Sequence, residues 1–297
     1  MRQGTTPQTR NPVRGGLDIA GRHLSYVDFG GPGRILLALH GHLSEGWSFA
    51  DLARELSPEW RVVAPDQRGH GDSDRAPDYS CEGYVADIVA LLDHLGLGPV
   101  VALGHSLGGR NAFQLAAWRP DLVRAFVVED IGAVLEGPNL LSFCLDWPYE
   151  APTREALVEG LGEAGPFFAD RMRERPDGSW VLPFHPRDMV RSEEQNKGDR
   201  WDEWLASECP ALLVRGKRTQ VLDADQAYAM VERRRNSRLV ELDTDHFVHD
   251  ADPVGFFEAV SGFLRSLDPS DKAPSMPAID SNSAPNGPIL GLSGPDA

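Results

Sequence analysis

Short apolar runs alternate with longer amphipathic stretches along most of the chain. The runs have the length and composition of buried strands, whereas the stretches between them space their apolar residues as a helix does. The predicted strands are residues 35–39, 61–65, 99–103, 125–128, 211–214 and 239–242. The predicted helices are residues 84–95, 112–118, 224–234 and 254–267. Strands that are apolar on both faces and alternate with helices predict a mostly parallel central sheet with helices on both faces, an α/β fold.

Two stretches depart from this alternation. Residues 17–20 and 23–28, joined by a turn at Gly21, predict an antiparallel pair of strands at the start of the fold. Residues 135–205 have no strong strand and hold eight Trp or Phe side chains. We interpret them as a helical lid above the sheet, with aromatic side chains that line an apolar pocket. The side chains expected to contact substrate are Phe143, Trp147, Phe167 and Phe168.

The same pattern predicts the organisation of the whole chain. Residues 17–134 and 206–267 form one α/β core, and residues 1–16 form an N-terminal extension. Residues 268–297 are rich in Pro, Ser, Asn and Gly and almost free of apolar clusters. Such a segment cannot bury enough surface to offset its ordering entropy, so we expect a disordered tail.

Composition and charge narrow the classes of partner. The chain has 297 residues, with 29 Lys and Arg against 45 Asp and Glu, and a formal charge of −16. A surface this acidic repels phosphate backbones and anionic lipids, so we expect neither nucleic acid nor membrane as a partner. The three cysteines are odd in number and far apart, which excludes a disulfide framework. With no signal peptide and no long apolar stretch, the expected location is the cytoplasm.

One glycine-rich pentapeptide joins a predicted strand to a predicted helix. Its sequence is Gly104-His105-Ser106-Leu107-Gly108. A serine on so tight a turn needs small neighbours in the sequence, because adjacent segments of the main chain pack closely against the turn. The turn lifts the hydroxyl above the carboxyl edge of the sheet, where ligands bind in open α/β folds. Ser106 is therefore the candidate nucleophile, and the alternative is an ordinary glycine-rich loop before a helix.

A serine nucleophile needs a histidine base, which comes from a distant loop of the chain. Two histidines, His246 and His249, follow the last predicted strand. His246 lies closer to the end of that strand, so we predict that it is the base. His249 is then a packed or surface histidine.

These motifs, together with His40-Gly41 after a strand and the run Asp-Gln-Arg-Gly-His-Gly-Asp-Ser at residues 66–73, resemble the α/β-hydrolase superfamily. More narrowly, they resemble its cofactor-free serine esterase, lactonase, perhydrolase and C–C hydrolase branches. The resemblance covers about residues 17–267 apart from the insertion. It implies a small-molecule substrate, no cofactor and no metal ion. It also implies that the 66–73 run shapes the edge of the sheet, with His70 a hydrogen-bonded loop histidine.

The resemblance implies an oxyanion hole as well. In that family the two donors would be the backbone N–H groups of His42 and Leu107. Donors fixed in this way stabilise charge that develops only in the transition state. We expect the His42 imidazole to pack rather than to enter the pocket.

The acid departs from the family's common pattern. Most relatives place it in the loop after the strand that follows the insertion, where this chain has Gln220. A neutral amide can orient an imidazole but cannot stabilise an imidazolium. Some members, including haloalkane dehalogenases, place the acid one strand earlier, 24 residues past the nucleophile, which here is Asp130. We predict Asp130 as the acid; the alternative is that Asp130 only caps the insertion and that Asp223 or Asp225 reaches His246.

The resulting hypothesis is a serine hydrolase that cleaves a small, largely apolar ester, thioester or lactone through an acyl-enzyme on Ser106. C–C bond hydrolysis and perhydrolysis on the same residues are the alternatives within enzymes. A ligand-binding protein that keeps the fold without catalysis is the alternative outside them. Haloalkane dehalogenases and soluble epoxide hydrolases use Asp in place of Ser106, so neither activity is expected. The oligomeric state is left open.

Overall fold

A computed structural model describes residues 11–267 of the chain. The tail expected at residues 268–297 and residues 1–10 of the expected extension lie outside that range. None of the helices in residues 11–267 combines the length and apolar character that a bilayer span requires.

The strands of the described residues form one large sheet and two small ones. In chain order they are β1 (Val13–Ile19), β2 (Arg22–Asp28), β3 (Arg34–Leu39), β4 (Trp60–Pro65), β5 (Val100–His105), β6 (Val123–Glu129), β7 (Val134–Leu135), β8 (Glu150–Ala151), β9 (Arg173–Glu174), β10 (Trp180–Val181), β11 (Gly198–Asp199), β12 (Ala211–Gly216) and β13 (Ser237–Leu242). The large sheet has the order β1-β2-β4-β3-β5-β6-β12-β13. It is antiparallel from β1 to β4 and parallel from β4 to β13, which confirms the predicted α/β fold.

Helices cover both faces of this sheet. In chain order they are α1 (Ala50–Leu56), α2 (Cys81–Leu95), α3 (Leu107–Trp118), α4 (Arg154–Gly160), α5 (Gly165–Phe168), α6 (Pro186–Asn196), α7 (Trp201–Ala206), α8 (Ala224–Arg233), α9 (Val248–Ala251) and α10 (Pro253–Ser266). Helices α2, α3, α7 and α8 supply side chains to the apolar core on one face. Helices α1 and α10 supply the core on the other face.

Residues 100–103 of β5 show why the central strands contain continuous apolar runs. Val100 and Ala102 lie in the core beneath α2 and α3, whereas Val101 and Leu103 lie in the core beneath α1 and α10. Successive side chains of a strand point to opposite faces, so a strand covered on both faces must be apolar throughout. This strand ends beneath the candidate nucleophile and fixes its position in the sheet.

The chain between β6 and β12, residues 130–210, forms an inserted segment of short elements. Helices α4, α5 and α6 and the sheet β8-β10-β9 share a separate apolar cluster that includes Phe168 and Phe184. The small strands are two residues long, too short to leave an alternating pattern in the sequence.

The end of the inserted segment differs from the predicted lid. Trp204 on α7 is fully buried in the main core, with its ring edge-on to Phe113 and Phe126 at 5.7 and 5.5 Å. Its Nε1–H donates to the carbonyl of Met230 at 2.9 Å. Helix α7 therefore belongs to the layer that covers the sheet, not to a cover over Ser106.

Candidate active site

Ser106 lies on a sharp turn between β5 and α3. Its φ angle of 52° is in the left-handed region, which is strained for a residue with a side chain. A Cβ atom added to Gly104 would lie 2.1 Å from the carbonyl oxygen of Gly108, and one added to Gly108 would lie 2.0 Å from that of Leu39. Both positions therefore require glycine, which is the physical reason for the glycines in the pentapeptide.

The structure brings together the three residues that the sequence predicts as nucleophile, base and acid. The Ser106 Oγ lies 3.0 Å from Nε2 of His246. On the other side of the ring, Nδ1 lies 2.7 Å from Oδ2 of Asp130. A carboxylate only accepts hydrogen bonds, so the ring carries its proton on Nδ1 and leaves Nε2 free to accept the serine proton.

Asp130 is fully buried, yet both of its oxygens are satisfied. Its Oδ1 accepts from the backbone N–H of Gly216 at 2.9 Å, and its Oδ2 also accepts from the Thr219 hydroxyl at 2.5 Å. Together with His246, these donors suit a buried carboxylate anion. Thr219 was not predicted from the sequence. The signal that could have identified it is its hydroxyl, which lies beside Gln220 in the loop after β12.

The two alternative acids lie elsewhere. Asp223 caps the start of α8, where its Oδ1 accepts from the backbone N–H of Gln226 at 2.8 Å. Asp225 is exposed in the first turn of the same helix. Within the described residues neither carboxylate contacts His246, and Gln220 makes no hydrogen bond to it.

His249 forms a second histidine–carboxylate pair behind the first. Glu129, the last residue of β6 and the neighbour of Asp130, accepts from both the backbone N–H and the Nδ1–H of His249, at 2.9 and 2.8 Å. Burial disfavours the charged ring, but the Glu129 charge and hydrogen bonds outweigh it and raise the pKa of His249 above 6.5. This pair ties the loop that carries His246 to the strand that precedes Asp130.

Replacing Glu129 with glutamine should destabilise the fold most at low pH. The pKa of His249 is higher in the folded chain than in the unfolded one. The contribution of the Glu129–His249 pair to the free energy of unfolding is therefore fully present below about pH 6.5. It is lost as the pH rises through the folded-state pKa of His249. Without the carboxylate, burial alone acts on the ring and penalises its charged form below that same pH. Urea titrations measure the free energy of unfolding of wild type and of Glu129→Gln. The difference between the two should shrink as the pH is raised from about 6 to about 9.

The exposed Glu208 provides the control for that experiment, because Glu208→Gln removes the same charge without a buried partner. Its effect should be small and constant with pH. An equally constant difference for Glu129→Gln would contradict the buried ion pair.

Two buried histidines support the loops around Ser106 in their neutral form. His105 donates from Nε2 to the carbonyl of His246 at 3.0 Å, and burial lowers its pKa to about 3. His40 donates from Nδ1 to the carbonyl of Gly41 at 2.7 Å and accepts from the N–H of Gln67 at 2.9 Å, and burial lowers its pKa to about 4. Both rings hold backbone in place beside the serine.

The backbone after β3 passes directly beside Ser106. A Cβ atom on Gly41 would lie 3.1 Å from that of Ser106. Among the described residues, the N–H groups of His42 and Leu107 donate no hydrogen bond, which leaves both available to a ligand. The His42 ring itself lies 2.8 Å from the hydroxyl of Ser192 on α6, and burial lowers its pKa well below 6.5.

The predicted substrate contacts differ in their distance from the site. Phe167, 47% exposed, has its ring 5.9 Å from Phe247, the neighbour of His246. Phe168 is 3% exposed and packs inside the inserted segment against Trp147 at 5.6 Å. Phe143 is 58% exposed. Of the four, Phe167 is the one that contacts the loop carrying His246.

Comparison with known proteins decides the family. Residues 34–174 match the family model described as the alpha/beta hydrolase fold. A 2-(acetamidomethylene)succinate hydrolase from Mesorhizobium japonicum is 30% identical over 250 residues, which cover 79% of this chain and 89% of that enzyme. The chain belongs to the α/β-hydrolase family.

Further similarities to α/β-hydrolases agree with this assignment. The crystal structure of E-2-(acetamidomethylene)succinate hydrolase superposes with a TM-score of 0.77 at 26% identity, over 86% of this chain and 100% of that one. Lipase LipV of Mycobacterium tuberculosis is 43% identical over 118 residues, 40% of this chain and 44% of the lipase. These relatives are hydrolases, and the chain is an enzyme of the hydrolase type.

Proposed function

We propose that this α/β-hydrolase is a serine hydrolase that cleaves a small, largely apolar carboxylic ester, thioester or lactone. The observation that carries the proposal is the chain of hydrogen bonds from Ser106 through His246 to Asp130. A hydroxyl, an imidazole and a carboxylate in this order form a general-base-activated nucleophile. The Mesorhizobium relative is named for a small molecule, which supports a small substrate here.

In this mechanism the Ser106 Oγ attacks the carbonyl carbon while Nε2 of His246 takes its proton. The Asp130 carboxylate stabilises the imidazolium that results. The oxyanion lies between the N–H groups of His42 and Leu107, and one such donor contributes about 10²–10³ in rate. His246 then gives its proton to the leaving oxygen or sulfur, which departs from an acyl-Ser106 intermediate. Water, deprotonated by His246, releases the acid and restores the serine.

Labelling by a fluorophosphonate probe tests the nucleophile independently of the substrate. We expect stoichiometric labelling of the wild type at Ser106, because the probe needs an activated serine rather than a fitting acyl group. Peptide mass spectrometry locates the adduct. Ser142→Ala, which removes an exposed serine of the inserted segment, should label normally and is the matched control.

A panel of acyl esters, thioesters and lactones then assigns the substrate class from kcat/KM. Hydrolysis of at least one class by wild type, lost in Ser106→Ala, is the expected result. A wild type that neither reacts with the probe nor turns over any member of the panel would contradict the proposed function.

A further inference from the structure

Arg171 is a cation in the inserted segment that has no acidic partner among residues 11–267. Its neighbours differ in this respect. Arg154 pairs with Asp170 at 2.7 Å, Arg173 pairs with Glu45, and Arg175 pairs with Glu150 at 2.5 Å. No carboxylate of the described residues lies within 4.0 Å of the Arg171 guanidinium. Its charge is therefore available to a ligand.

Ring contacts connect Arg171 to the candidate active site. Its guanidinium carbon lies 4.8 Å from the centre of the Phe167 ring. That ring lies 5.9 Å from Phe247, which in turn lies 5.4 Å from His246. Two aromatic rings, those of Phe167 and Phe247, therefore lie between Arg171 in the inserted segment and the base His246.

The charge of Arg171 also acts on histidines from two other elements around the site. Burial is the main cause that lowers the pKa of His40 to about 4, and Arg171 adds to it. At His249, burial, the Glu129 pair and Asp250 act first, and Arg171 opposes the charged ring as well. His40 follows β3 and His249 lies on α9, so the Arg171 charge acts at the edge of the sheet that also carries the candidate site.

A half-buried guanidinium in this setting suits a carboxylate. Its planar fork of N–H donors matches the two oxygens of a carboxylate, and hydrogen bonds between charged groups are stronger than neutral ones. Contact with the face of Phe167 stabilises the cation through the ring electrons and leaves N–H edges free. The surrounding rings would contact the apolar part of the same molecule.

We propose that Arg171 binds a carboxylate of the substrate, so that this enzyme prefers small apolar esters that also carry one negative charge. The inference rests on the proposed function, because it assigns a substrate class to the same site. It adds a binding residue to the inserted segment and a chemical requirement that the reaction itself does not impose.

Matched esters test this preference. Substrates are mono-p-nitrophenyl adipate and pimelate, whose chains are too long for rapid attack of the free carboxylate on its own ester, each compared with its methyl ester, which is neutral but nearly the same in shape. Arg171→Gln should lower kcat/KM for the charged esters by about 10- to 100-fold, the scale of a hydrogen bond to a charged group, mainly through KM. The methyl esters should change by less than about twofold. Arg171→Lys, which keeps the charge but loses the fork, should retain part of the preference.

Arg175→Gln is the matched control, since Arg175 lies in the same segment over the Tyr149 ring but is already paired with Glu150. It should leave the preference intact. An equal loss for charged and neutral esters in Arg171→Gln would indicate a structural role and overturn the inference. Hydrolysis of the methyl esters by wild type without an Arg171-dependent preference would overturn the inference alone, whereas no hydrolysis of any ester would contradict the proposed function too.

Discussion

Replacing Ser106 with alanine should reduce ester turnover by roughly 10⁶-fold, the loss that follows when a serine of this kind is removed. In the structure the hydroxyl makes one hydrogen bond among the described residues, to Nε2 of His246. Its loss therefore removes the nucleophile but little packing. The strained φ of 52° is a property of the turn and persists with alanine. Single-turnover and steady-state rates measure the first effect, and urea unfolding measures the second.

Ser142→Ala serves again as the control, with turnover and stability close to those of wild type. Residual activity of Ser106→Ala within about tenfold of wild type would amount to only ~1.4 kcal/mol of barrier and would exclude Ser106 as the nucleophile. A large loss of stability in Ser106→Ala would show instead that the turn, not the hydroxyl, had failed.

The central sheet could be predicted from the sequence because a strand that is buried on both faces requires a continuous run of apolar residues. Val100 to Leu103 illustrate this, since their side chains enter two different cores. Other elements left weaker signals. Helix α1 has seven residues and was not predicted, and β1 begins at Val13, within the segment expected to be an extension. Short or edge elements bury too few side chains to impose a period.

The residues of the candidate site that directly follow strands could be predicted from the sequence. Ser106, Asp130 and His246 follow β5, β6 and β13, and the carboxyl ends of neighbouring parallel strands meet at one edge. Thr219 and the Glu129–His249 pair were not predicted as contacts, because they depend on how loops fold onto one another. The arrangement of the inserted segment could not be predicted for the same reason, and its two-residue strands and the four-residue helix α5 are too short to show a period.

Replacing Asp130 with asparagine should reduce turnover by roughly 10⁴-fold, the scale known for losing the aspartate through the wrong imidazole tautomer. Oδ2 accepts from Nδ1 of His246 and from the Thr219 hydroxyl, and Oδ1 accepts from the N–H of Gly216. An amide nitrogen in either position would face a donor. If it faces Nδ1, the ring must carry its proton on Nε2, where it can no longer accept the proton of Ser106. Any imidazolium that does form loses its counter-charge.

The backbone at Asp130 should tolerate this substitution, so a change in turnover reports on the side chain. Asp130 has a φ of 53°, a conformation that asparagine tolerates better than most residues, so the strand end and its neighbours should persist. Asp223→Asn makes the same chemical change at the cap of α8 and should leave turnover almost unaltered, since asparagine caps helices as well as aspartate does. Comparing kcat for the two variants, with circular dichroism to verify folding, separates the assignments. Equal losses, or a larger loss in Asp223→Asn, would transfer the acid to the loop after β12. A loss confined to Asp130→Asn would mean that the buried carboxylate one strand earlier supports His246.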